Sequence, residues 1–144
     1  MFHFGEGLLS VQNFPLRMAE VCLEACDKYS ANTDLALDAG SGPGRTALEL
    51  CKKFKQVSTV LVDLKDISNI SYIQVCAYDY SHGFVENMLS KAQSGGVTNL
   101  EGRQGDSHSQ AEMYPGRKFD LIFGCNLIDR LHTPALWVEQ SKVR

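Results

Sequence analysis

The chain has 144 residues, room for one domain, and its 44% hydrophobic and 22% charged content is ordinary for a globular protein. A net charge of -3 leaves no basic footprint for nucleic acid, and no apolar run approaches the ~20 residues that span a bilayer. The cysteines (Cys22, Cys26, Cys51, Cys76 and Cys125) are odd in number, form no C-x-x-C and fall mostly within apolar patterns, which fits packed thiols in a reduced, cytoplasmic setting. His3, His82, His108 and His132 pair with no other His or Cys at ligand spacing, so no metal site is expected. Met1 to Glu6 lacks the basic and apolar regions of a signal peptide, which leaves the acceptor-like Asn69-Ile70-Ser71 without meaning.

Asn13 is positioned to cap a first helix, and Pro15 is tolerated in its opening turn. Phe14, Met18, Val21, Cys22 and Ala25 keep helical spacing to about Tyr29. The turn-like Ser30-Ala31-Asn32-Thr33 precedes a short apolar strand over 35–38 that ends on Asp38. Glycines then stand at every second position, Gly40, Gly42 and Gly44, as a chain turning sharply from strand to helix requires. Ala47, Leu50, Cys51 and Phe54 form an i, i+3, i+4, i+7 stripe, so the spacing predicts a sheet-packed helix over 45–54.

The second strand has two readings. An acid about 20 residues beyond the glycine turn commonly ends it and binds ribose hydroxyls. Asp63 has that spacing and closes Ser58-Thr59-Val60-Leu61-Val62. Asp79 lies 35 residues beyond Gly44 and closes Ile73-Gln74-Val75-Cys76-Ala77-Tyr78. The downstream residues favour Asp79. Ser81 is a good cap, Phe84, Val85, Met88, Leu89 and Ala92 come after it at helical intervals, and Gly95-Gly96 stops the run. No helical stripe succeeds Asp63. On this reading roughly 58–76 is an insertion between the 45–54 helix and strand two, whose Val60, Leu61, Val62 and Ile67 are expected to add a strand or a packed flap.

A short third strand is predicted around Thr98–Arg103, leading to Gly105-Asp106-Ser107-His108. Asp106 reads either as a ligand acceptor or as a solvated turn acid. Tyr114-Pro115-Gly116-Arg117-Lys118 is a turn. Phe119 to Cys125 is almost continuously apolar, as a central parallel strand should be, and Asn126-Leu127-Ile128-Asp129-Arg130-Leu131 leaves its carboxyl end. Thr133 is placed to cap a last helix with Pro134 at its first position. The order is β-α-β-α-β-β-α with the acids at strand ends, an α/β doubly wound, mostly parallel sheet that binds its ligand along the carboxyl edge.

Gly42-Pro43-Gly44-Arg45-Thr46-Ala47 also fits the dinucleotide fingerprint, but Asp38 would face a pyrophosphate with like charge. A carboxylate there suits a cation better. S-adenosylmethionine carries an ammonium and a sulfonium and no phosphate. The order Asp38-x-Gly40-x-Gly42-x-Gly44 resembles motif I of the Rossmann-like class I methyltransferases. With Tyr78-Asp79-Tyr80-Ser81-His82-Gly83-Phe84-Val85 and Asn126-Leu127-Ile128-Asp129-Arg130-Leu131, the chain resembles the C-terminal methyltransferase domain of ovothiol synthases, outside about 58–76. The resemblance implies S-adenosylmethionine as cofactor and the imidazole nitrogen of 5-thiohistidine as acceptor. It places Gly40, Gly42 and Gly44 behind the methionyl part, Asp38 near its ammonium and Asp79 on the ribose. Asp106 and Ser107 would flank the adenine, and Asn126 would face the methyl-transfer centre.

Class I domains have seven strands in the order 3-2-1-4-5-7-6, so strands five to seven are expected to be missing from this chain. Strand four then becomes an exposed edge that invites self-association. Two other readings stay open. One is a non-catalytic half-domain that binds cofactor or a partner chain. The other is a nicotinamide-dependent oxidoreductase, against which Asp38 and the lack of an evident hydride-transfer acid both count.

Overall fold

The computed structural model describes residues 13–54 and 75–142. Asp63, the apolar residues of 58–74, Asn69 and the chain start with His3 lie outside them. Helix α1 spans Phe14–Lys28, β1 Ala36–Ala39, α2 Arg45–Phe54, β2 Val75–Asp79 and α3 His82–Ser94. Strand β3 comes next at Leu100–Gln104, then a 3₁₀ turn at Ser107–Ser109, α4 at Gln110–Met113, β4 at Leu121–Gly124 and α5 at Pro134–Gln140.

The four strands form one parallel sheet in the order β3-β2-β1-β4. Central β1 is buried at all four positions, because helices cover both faces of the sheet. Side chains alternate between the faces. Ala36, Val75 and Ala77 meet Ala19 of α1, the α2 stripe and Val85 and Met88 of α3. Leu37, Ala39, Cys76 and Tyr78 meet Tyr114, Phe119 and Trp137 on the other side. The predicted α2 stripe is buried throughout: Ala47, Leu50, Cys51 and Phe54.

Several expectations need correction. Asn13 does not cap α1. Its φ of 57° is left-handed, outside the extended geometry of a cap, and its side-chain oxygen accepts from Arg45 Nη2 at 2.6 Å instead. Thr133 makes no side-chain cap either; its own N–H donates to His108 Nε2 at 3.3 Å. Ser81 does cap α3, accepting from the Phe84 N–H. Of the residues at helical intervals after Ser81, Val85, Met88 and Ala92 carry the packing, while Phe84 and Leu89 are 48% and 39% exposed. The connection from β3 to β4 holds the short helix α4, too brief to leave a periodic stripe. Val75 and Cys76 belong to β2, and the rest of the insertion expected at about 58–76 lies outside the described residues.

Strand β4 lies at the edge of the sheet among the described residues, and only Phe123 of its four residues is buried. Asp120, just before it, accepts from the N–H groups of Asp34 and Leu35 at 3.0 Å each and so fixes the entry to β1.

Candidate functional site

Sheet order reverses beside β1, whose two neighbours are β2 and β4. In open parallel sheets the carboxyl edge at such a switch point is where ligands bind. The predicted glycine loop occupies that edge, and all three glycines have positive φ: 68° at Gly40, 54° at Gly42 and 79° at Gly44. Gly44 is needed twice over. A Cβ there would lie 2.1 Å from Met88 Cγ, so only glycine lets the start of α2 pass α3 this closely. At Gly42 a Cβ would meet nothing within 4 Å, which leaves the backbone open to a ligand.

The loop is stitched to β2. Ser41 N–H donates to the Tyr78 carbonyl at 2.9 Å, and Gly42 N–H donates to Asp79 Oδ2 at 2.8 Å. Asp79 Oδ1 accepts from Ser81 N–H, also at 2.8 Å. One carboxylate thus joins the glycine loop to the start of α3, and each oxygen keeps accepting capacity for a ligand hydroxyl. Gly105 N–H donates to the Asp79 carbonyl at 3.0 Å, which brings the β3 loop to the same edge. Tyr80, beside Asp79, is 78% exposed, and an uncovered ring can stack on a planar heterocycle.

Asp38 lies beneath the loop, 1% exposed, and its Oδ2 has no hydrogen-bond partner. Burial pushes its carboxyl up to about 7; the Ala47 backbone N–H opposes the shift and the charge of Asp79 adds to it. With Oδ2 unpartnered at this depth, the ionised form is costly until a counter-charge reaches it.

Asp106 is half-exposed and caps the 3₁₀ turn, accepting from His108 N–H at 2.9 Å. That bond holds its carboxyl below the usual range, helped by the His108 ring, whose Nδ1 lies 2.9 Å from the same oxygen. Ser107 is buried, and its hydroxyl serves that of Tyr78. Tyr78 in turn donates to Gln110 Oε1 at 3.0 Å, and Trp137 Nε1 donates to both the Tyr78 hydroxyl and Gln110 Oε1. This network anchors α4 and α5 below the site. Its members were not legible as a set, because they lie far apart in the chain. Asn126 is exposed at the end of β4 with φ 52°, and the next residue, Leu127, packs at Gly40.

The edge therefore gathers Gly40, Gly42, Gly44, Asp38 and Asp79, with Asp106 joined through Gly105. Three cavities of about 440, 340 and 310 Å³ open elsewhere, the first between Tyr114, Phe119 and Gln140. Among the described residues no group of three His, Cys, Asp or Glu is placed to hold a metal ion. No helix among them is long and apolar enough to cross a membrane.

No family model matches the sequence, and no curated protein matches it. Solved structures do. A S-adenosylmethionine-dependent methyltransferase from Clostridium acetobutylicum is 20% identical with a TM-score of 0.68, over 92% of this chain and 46% of that one. This is the Rossmann-like fold of the class I methyltransferases. Coclaurine N-methyltransferase, bound to N-methylheliamine and S-adenosylhomocysteine, is 17% identical with a TM-score of 0.63, over 95% of this chain and 34% of that one. The cyclase SpnF is also similar, at 19% identity and a TM-score of 0.67, over 95% of this chain and 43% of that one. The chain spans less than half the length of each of these structures.

Proposed function

We propose that this chain binds S-adenosylmethionine along the carboxyl edge of β1, β2 and β3 and serves methyl transfer to a small molecule in the cytoplasm. The observation that carries this reading is the buried carboxyl of Asp38, its Oδ2 without a partner, under an open glycine loop. In its ionised form it repels a pyrophosphate and pairs with an ammonium. When bound, the cofactor supplies a methyl group on a sulfonium, already a good leaving group, so the protein's task is alignment.

Gly40, Gly42 and Gly44 would back the methionyl part, with Asp38 near its ammonium. Asp79 would accept from the ribose hydroxyls while holding Gly42. Asp106 and Ser107 would border the adenine, with the exposed Tyr80 ring as a further surface for it. Asn126 would face the methyl-transfer centre. The Asn126-Leu127-Ile128-Asp129-Arg130-Leu131 string supports the imidazole nitrogen of 5-thiohistidine as acceptor, with Asp129 or Arg130 orienting that zwitterion.

A second reading is a module that binds cofactor or a partner without catalysis. The edge position of β4, with Leu121 and Ile122 half-buried, favours it, and self-association through β4 would cover that edge. Calorimetric titration with S-adenosylhomocysteine tests the main reading. Saturable micromolar binding is expected, with NADH giving none. No heat with S-adenosylhomocysteine would leave the chain as an interaction module alone.

A further inference from the structure

We infer that the ligand's ammonium displaces a proton from Asp38, so that cofactor binding and proton release are one coupled step in this chain. The inference depends on the cofactor reading of the same site.

The geometry supplies the reason. Asp38 is sealed at the end of the central strand, and Oδ2 has no partner. The groups around it come from every packed element, and none is a counter-charge. Strand β2 contributes the acid Asp79 and, nearby, the Tyr78 phenol. Helix α1 contributes Cys22 and the end of β4 contributes Cys125, two thiols that the Asp38 charge pushes further up. Helix α2 offers the Ala47 backbone N–H, while its Arg45 donates to Asn13 instead. No Lys, Arg or His among the described residues forms an ion pair with Asp38.

A carboxyl so placed keeps its proton near neutrality, in keeping with its shift to about 7. An ammonium brought against it stabilises the carboxylate. The carboxyl O–H bond breaks, the proton passes to the buffer, and the carboxylate pairs with the ammonium; no electrons are exchanged. Below pH 7 the unbound carboxyl is mostly protonated, so binding must remove the proton and weakens as the pH falls. Above pH 8 it is already ionised and the linkage vanishes. Release should approach about one proton per site at pH 6 and fall to about zero by pH 8.5, with affinity rising about tenfold per pH unit between pH 5 and 6.5.

The test is calorimetric titration of the full chain with S-adenosylhomocysteine at pH 6 and at pH 8.5. Each is run in buffers of different ionisation enthalpy, so that the slope of heat against buffer enthalpy counts protons. A release near one at pH 6 that disappears at pH 8.5, and that persists in a Cys22→Ala, Cys125→Ala double variant, supports the inference. Buffer-independent heat at pH 6 overturns it while leaving the cofactor reading intact. No binding in any buffer removes both. An Asp38→Asn variant that still binds should release none, and equal release from it would overturn the assignment. Should that variant fail to fold, carboxyl carbon NMR of the parent chain decides. A buried aspartate that titrates near neutrality when unbound and not when bound supports the inference, and the absence of one overturns it.

Discussion

Replacing Asp79 with alanine is expected to weaken S-adenosylhomocysteine binding by about 100-fold, the loss of two charge-assisted hydrogen bonds at about 1.5 kcal/mol each. The change removes more than ligand acceptors. Gly42 and Ser81 each donate to this carboxylate at 2.8 Å, so alanine also frees the glycine loop from β2 and the start of α3. Asp79→Asn separates the two effects. Its oxygen keeps one N–H partner, while its amide faces the other with a donor. An intermediate loss of about tenfold is expected for it. Calorimetric titration of both variants gives the comparison. Unchanged affinity in Asp79→Ala would remove Asp79 from the site.

Gly44→Ala should be the most destabilising substitution in the loop. A φ of 79° strains a residue with a Cβ by about 1–2 kcal/mol, and overpacking against Met88, 2.1 Å away, adds about 1–3 kcal/mol. A total near 3 kcal/mol is a large part of the ~5–15 kcal/mol that holds a typical domain together. Gly42→Ala is the internal control. Its φ of 54° carries the same kind of backbone strain, but nothing lies within 4 Å of the added Cβ, so only about 1–2 kcal/mol is expected. Urea denaturation of the two variants measures the gap. Equal midpoints would mean that α3 does not press on the start of α2.

Much of this edge was legible because its signals are local. The glycines at 40, 42 and 44 sit between a four-residue strand and an apolar stripe, and each takes the positive φ that the turn requires. Asp79 could be preferred over Asp63 from the capped helix that succeeds it, and the structure places Asp79 at the end of β2. The caps read less well. Asn13 and Thr133 are good caps by type, yet distant partners, Arg45 and His108, decide what they do. Residue type gives a propensity, and tertiary contacts override it. The Tyr78–Gln110–Trp137 network joins residues 32 and 59 positions apart, beyond any periodic signal. Asp38 read as a charge facing a cation. That it is buried with Oδ2 unpartnered could come only from the packing of α2 over β1.

Amide NMR of the chain titrated with S-adenosylhomocysteine tests most directly whether the cofactor sits on the glycine loop. Saturable shifts of the Gly40, Gly42, Gly44, Tyr80 and Asp106 amides, all on one binding isotherm, are the predicted result. Shifts confined to the Tyr114–Phe119 cavity, or none at all, would contradict a cofactor site at the carboxyl edge of β1.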